Sequence, residues 1–192
     1  MRAPLNLGID FEAFIAALES ITRSQSDERV VTSAVADCLS TLLASPFNLP
    51  AGVTRTHPDR YVMYPLHIDS QGRFSVAAAV WNVGQATPIH SHETWGVVGI
   101  YSGIEGETRY AKPLTDGQPV VATEAEREFG PGQVSVCCTK DDDVHMVRCV
   151  GDEPCIGLHI YGSDIGTLPR RTFNAETGEV KWFTSQWEPA IA

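Results

Sequence analysis

With 192 residues, 43% apolar and 20% charged, the chain has the composition of an ordinary globular domain and enough length to bury a core. A formal net charge of −10 argues against partners that need a basic surface, which removes nucleic acid and anionic membrane. No run of about 18 apolar residues occurs, and the N-terminal Met-Arg-Ala-Pro-Leu-Asn-Leu-Gly has no signal-peptide core, so a cytoplasmic protein without a transmembrane helix is expected.

Residues 9–24 place Phe11, Phe14, Ile15, Leu18 and Ile21 at helical spacing, with Asp10 as the expected cap. A second helix is expected after Ser26, its predicted N-cap, with Val30, Val31, Ala34, Val35, Cys38, Leu39, Leu42 and Leu43 on its apolar side. Ser45-Pro46 ends it, because proline lacks a donor and clashes with the preceding turn. This helical segment, about 9–46, reads as packing rather than chemistry.

From about Arg60 short extended runs alternate with turns: 61–68, 74–83, the stretch around His90 and His92, 95–101, 107–111, 133–138, 144–150 and 155–161. A polar loop passes through Asp116-Gly117. Many short strands with regular turn signals predict an all-β sandwich or barrel over about 60–173. The tail from Asn174 carries Val180, Trp182, Phe183 and Trp187, which are expected to pack back on the barrel. No repeat or linker divides the chain, so a single domain over 1–192 is expected. The five cysteines include no Cys-x-x-Cys pair and read as reduced, small core residues.

The stretch Pro88-Ile89-His90-Ser91-His92-Glu93-Thr94-Trp95-Gly96 carries the first chemical signal. Residues i and i+2 of a strand share a face, so two imidazoles there can bite one metal ion. Alone, His-x-His is a weak pattern that a surface strand can also show. His145 strengthens it: Val147 and Cys149 share its face while Arg148 takes the other, so His145 should face inward. Cys155, Gly157, His159 and Tyr161 share one face of the last strong strand. A barrel interior could therefore receive His90, His92, His145, His159 and Tyr161 together. Three neutral imidazoles leave coordination positions open, as in a catalytic site, and admit zinc, iron, copper, nickel or manganese. His57 and His67 read as surface or barrel-rim residues.

The spacing Gly84-x5-His90-x-His92-x3-Gly96-x6-Gly103 resembles the first cupin motif, with glycine at 96 where many cupins carry a glutamate ligand. Gly130-Pro131-Gly132 followed by His145 resembles the second. The resemblance, from about Tyr61 to Phe173, implies a double-stranded β-helix (a jelly-roll barrel) behind two N-terminal helices. A three-histidine cupin site without a carboxylate ligand is similar to that of the thiol dioxygenases, cysteine dioxygenase and 3-mercaptopropionate dioxygenase. That likeness implies ferrous iron, Fe2+, on His90, His92 and His145, with His159 and Tyr161 as the catalytic pair behind it. It implies a small thiol and O2 as reactants and a sulfinate as product.

In cysteine dioxygenases the carboxylate-binding arginine lies two residues after a tyrosine on the first barrel strand. Here Met63 follows Tyr61 at that spacing, so that arginine is absent. In the mercaptopropionate branch it lies beyond the tyrosine of the His-x-Tyr pair, which falls here on Arg170, with Arg171 a competitor. The resemblance therefore implies 3-mercaptopropionate over cysteine, with Tyr61, Met63 and Trp95 as further pocket candidates. One departure is Gly157, which replaces the serine of the family's Ser-x-His-x-Tyr. The alternatives are a cupin using another divalent metal for isomerisation or hydrolysis, and a non-catalytic cupin that binds a small ligand. A homodimer through strand edges or helices is left open.

Overall fold

Phe11, Phe14 and Leu18 recur at the helical period, and α1 (Gly8–Ser24) buries all three. The structure is a computed structural model that describes residues 7–113, 115, 117–137 and 143–190. The expected strand end at Cys138 and the loop residue Asp116 lie outside these residues. Asp10 does not cap α1: Leu7 holds the N-cap position without a side-chain bond, and Asp10 sits in the first turn, where its charge suits the helix dipole. In α2 (Glu28–Ala44) the cap is Asp27 rather than Ser26. The Asp27 carboxylate accepts from the backbone N–H of both Arg29 and Val30. Ser45 ends the helix ahead of Pro46, as proline chemistry requires.

Among the described residues eleven strands follow: β1 (Val62–Ile68), β2 (Ser75–Trp81), β3 (Ile89–His90), β4 (Gly96–Ser102), β5 (Glu105–Arg109), β6 (Arg127–Phe129), β7 (Val134–Cys137), β8 (His145–Cys149), β9 (Cys155–Tyr161), β10 (Arg170–Phe173) and β11 (Val180–Phe183). They form two antiparallel sheets, ordered β1-β2-β9-β4-β7 and β11-β10-β3-β8-β5-β6. This is the double-stranded β-helix that the cupin motifs imply.

The period of two explains why β2 and β9 are buried along their whole length. Val76, Ala78 and Val80 of β2, with Ile156, Leu158 and Ile160 of β9, join Phe14, Leu18, Val35 and Leu39 in a core beneath the helices. Their alternates Ala77, Ala79, Trp81, Cys155 and Tyr161 face the other way. There they meet Met63, Val98, Phe129 and Val147 in a second core drawn from both sheets. Small residues on this inner face leave room for rings to enter the barrel.

Two expectations are corrected. Trp182 does not pack on the barrel but is 64% exposed, because β11 is the outermost strand of its sheet and turns that side chain to solvent. Trp187 does pack inward, its Nε1–H donating to Asp164 at 3.1 Å. The strand carrying His90 ends at His90, so His92 lies beyond it rather than on a shared strand face. No described helix is long and apolar enough to cross a membrane.

Candidate metal centre and its cavity

Pairing of β3 with β8 sets His90 opposite His145. Along β8 the alternation is clean: His145, Val147 and Cys149 are buried, and Arg148 is exposed on an ion pair with Glu126. After His90 the chain leaves the ladder. The backbone N–H of His92 donates to Asp143 at 2.8 Å, just before β8. Glu93 then adopts the left-handed region, φ 57°, and turns the chain toward β4. A loop tied to β8, not strand periodicity, thus brings His92 back beside His90 and His145. Potential ligand atoms of the three lie within 4.8 Å of one another.

Each ring is held from behind. His90 Nδ1 donates to the Pro88 carbonyl at 3.0 Å, and His145 Nδ1 donates to Glu107 at 2.8 Å. His92 Nδ1 lies 3.4 Å from the Cys137 sulfur. Such contacts on Nδ1 leave Nε2 for a metal and fix the ring orientation. His92 Nε2 and His145 Nε2 are 3.1 Å apart. Two metal–nitrogen bonds of about 2.1 Å span that distance when they meet at roughly a right angle. The donor set therefore fits one divalent transition-metal ion with open positions.

The electrostatics agree with a ligand role. Burial, then the neighbouring His145, lowers the pKa of His90 and of His92 well below the ordinary imidazole value, so both rings are neutral near pH 7. For Glu107, burial pushes upward but is outweighed by the hydrogen bond from His145, the charge of Arg109 and the Ser135 hydroxyl. The net result is a carboxyl at about 2. Glu107 is thus an ionised acceptor that keeps the His145 proton on Nδ1.

The three histidines line one cavity with Tyr61, Met63, Trp81, Thr87, Val147, His159, Tyr161 and Arg170. His159 Nδ1 is 3.0 Å from the Tyr161 hydroxyl. Burial raises the Tyr161 pKa, so the phenol is protonated. Arg170 is 2% exposed, donates to the Ser185 hydroxyl and lies 4.6 Å from the Phe183 ring centre. Its Nε is buried without a partner among the described residues.

Two sequence candidates fall elsewhere. Arg171 faces away from the cavity and donates to Glu93 at 2.7 Å. Trp95 does not line the cavity, because it belongs to the core beneath the helices and packs over Gly162. Gly96 backs the centre: a β-carbon there would lie 2.9 Å from the Cys137 sulfur and 3.4 Å from His92 Nδ1. His57 and His67 lie outside the cavity, and His67 stacks on Phe74 at 5.4 Å.

Sequence reasoning passed over Trp81, Thr87, Glu105, Glu107, Asp143 and Ser185. Of these, Trp81 was within reach, since it continues the inward alternation of Ala77 and Ala79. The carboxylates give no local signal, because their partners come from distant strands.

No family model matches the chain. Among solved structures it resembles a double-stranded β-helix protein from Klebsiella pneumoniae at 12% identity, covering 74% of this chain and 93% of that one, TM-score 0.48. It also resembles an RmlC-like cupin from Desulfovibrio desulfuricans at 25% identity, covering 60% and 94%, TM-score 0.42. A third likeness is to oxalate decarboxylase from Lactobacillus farciminis at 20% identity, covering 64% and 35%, TM-score 0.45.

Proposed function

We propose that this protein is a non-haem iron(II) thiol dioxygenase that turns a small thiol carboxylate into its sulfinate, with 3-mercaptopropionate preferred over cysteine. One observation carries the reading: three buried imidazoles, with no carboxylate among them, share a cavity with a buried arginine. Three neutral ligands leave a divalent ion its full charge, which favours a thiolate and drives loss of the thiol proton. Bound by His90, His92 and His145, ferrous iron would supply the place where sulfur and O2 meet. The electrons that sulfur loses are those that O2 gains, so both oxygen atoms end in the sulfinate and no external reductant enters.

The protein's own groups set the substrate. Arg170 is the cavity's guanidinium, and its unpartnered Nε suits a substrate carboxylate. No Asp or Glu lines the cavity among the described residues. An α-ammonium such as that of cysteine would therefore be buried without a counter-charge, which costs several kcal/mol, ~3 or more. Tyr61 and Met63 line the same cavity, and Tyr161, held by His159, sits against the ring of His92 at a centroid distance of 5.2 Å.

The test is anaerobic loading with iron(II), then O2 uptake and sulfinate assay with 3-mercaptopropionate, cysteine and cysteamine. The expected result is sulfinate from 3-mercaptopropionate, with kcat/KM about tenfold or more above that for cysteine. Sulfinate from none of the three would overturn the proposal.

A further inference from the structure

The inward face of β9 carries Gly157 two residues before His159. A β-carbon at 157 would lie 2.7 Å from His159 Nε2 and 3.5 Å from Glu105 Oε2. The missing side chain is what lets the imidazole edge lie against position 157 with Nε2 turned toward Glu105. Glu105 opens β5 from the opposite sheet, opposite Phe129 on one side and Cys149 on the other, and is 2% exposed. Its Oε2 lies 3.7 Å from His159 Nε2. Neither atom has a hydrogen-bond partner among the described residues, and both are buried. On the other edge of the same ring, Nδ1 meets the Tyr161 hydroxyl at 3.0 Å. One imidazole therefore spans a carboxylate and a phenol.

A neutral imidazole carries a single N–H, and an ionised carboxylate only accepts. We propose that Glu105 is a positioning residue that holds His159 as the Nε2–H tautomer and so commits the Tyr161 hydroxyl proton to His159 Nδ1. Two buried, unpartnered atoms at 3.7 Å are a small ring rotation from a hydrogen bond, and leaving them apart costs both their desolvation. With Nε2 protonated, Nδ1 must accept, so Tyr161 donates to it. The phenol oxygen then faces the three-histidine cavity as an acceptor. The opposite tautomer would reverse this, with Nδ1 donating and Tyr161 offering its proton to the cavity. Glu105, which lies outside the cavity lining, thereby decides which polarity the substrate meets.

The tautomer stands apart from the proposed function; only its effect on turnover rests on that reading. The test is long-range proton–nitrogen NMR of the full metal-free chain with labelled histidine, His159→Gln assigning the signal. Wild type is expected to show His159 protonated on Nε2 and bare on Nδ1. Glu105→Ala is expected to move the proton wholly or partly to Nδ1. Should Glu105→Ala fail to fold, Gly157→Ala pushes the ring from Glu105 while leaving the carboxylate in place, and the same shift is expected. A wild-type ring protonated on Nδ1, or a folded variant with the tautomer unchanged, overturns the proposal. In the iron-loaded enzyme Glu105→Ala is expected to lower kcat about tenfold with KM for 3-mercaptopropionate unchanged. If no thiol is turned over, the tautomer result still decides the role of Glu105 by itself.

Discussion

Arg170 and Arg171 are neighbours in the chain and face opposite ways across β10. Arg170 enters the cavity of the three histidines, whereas Arg171 turns out to Glu93 and lies 5.7 Å from the Trp182 ring centre. Replacing Arg170 with Gln removes the charge that would meet a substrate carboxylate. The expected effect is a rise of roughly 10–100-fold in KM for 3-mercaptopropionate, the size of a lost charge-assisted hydrogen bond. Arg171→Gln is expected to change KM by less than about twofold, since it loses only a partly exposed pair. Steady-state kinetics on both variants checks this, and equal rises would contradict it.

Glu107 holds His145 from behind through a 2.8 Å hydrogen bond. Glu107→Gln keeps the shape but weakens the acceptor, so metal affinity should fall about 10–100-fold. Competition titration with a chelating dye measures it. An unchanged affinity would mean that His145 is not oriented by Glu107.

The pH dependence of the metal-free protein follows from the same groups. His90 and His92 have folded pKa values well below the ordinary imidazole value. The unfolded chain therefore takes up more protons once pH falls below about 6.5, and stability drops as pH falls through that window. Glu107 acts in the same direction at lower pH: its folded pKa of about 2 lies below the ordinary 4.5, so its stabilisation is full above the ordinary value and is lost as pH falls toward 2. Tm measured from pH 7 downward should fall continuously, first through the histidines and then through Glu107. His92→Gln should flatten the first part of the fall. A Tm independent of pH between about 6.5 and 5 would contradict the burial of neutral imidazoles.

Gly96 has no room for a side chain while Cys137 stands 2.9 Å from where its β-carbon would be. Gly96→Ala should cost about 1–3 kcal/mol of stability, the usual cost of overpacking. Removing the sulfur with Cys137→Ala should recover most of that cost in the double variant. A denaturant-unfolding double-mutant cycle reads the coupling, and simple additivity would show that the two positions do not touch.

How much was legible in the sequence depended on how local the signal was. The inward face of β9 and the inward turn of His145 followed from alternation, because each strand is long enough to show a period of two against an exposed Arg148. The barrel followed from short strands alternating with turns, and its double-stranded β-helix from the resemblance of the glycine-framed histidines to the cupin motifs. His92 reached its place for a different reason, an N–H bond to Asp143 and a left-handed residue at Glu93, which no periodicity encodes. Strands β10 and β11 carry mixed polar residues over short runs, so neither stood out as a strand: β11 fell within the tail, and the opposite facing of Arg170 and Arg171 on β10 was hidden. The cap fell on Asp27 rather than Ser26 because a carboxylate accepts two N–H groups and suits the helix dipole. Glu105 and Glu107 carry no local signal, because only the pairing of distant strands brings His159 and His145 to them.

A thiol dioxygenase puts both atoms of O2 onto the sulfur of its substrate. The most direct measurement is mass spectrometry of the product formed by iron-loaded protein from 3-mercaptopropionate under oxygen-18 gas in ordinary water. The expected product is a sulfinate in which both oxygens carry the label, with none from the His145→Ala variant. A product labelled from water, or no sulfinate at all from the iron-loaded protein, would contradict it.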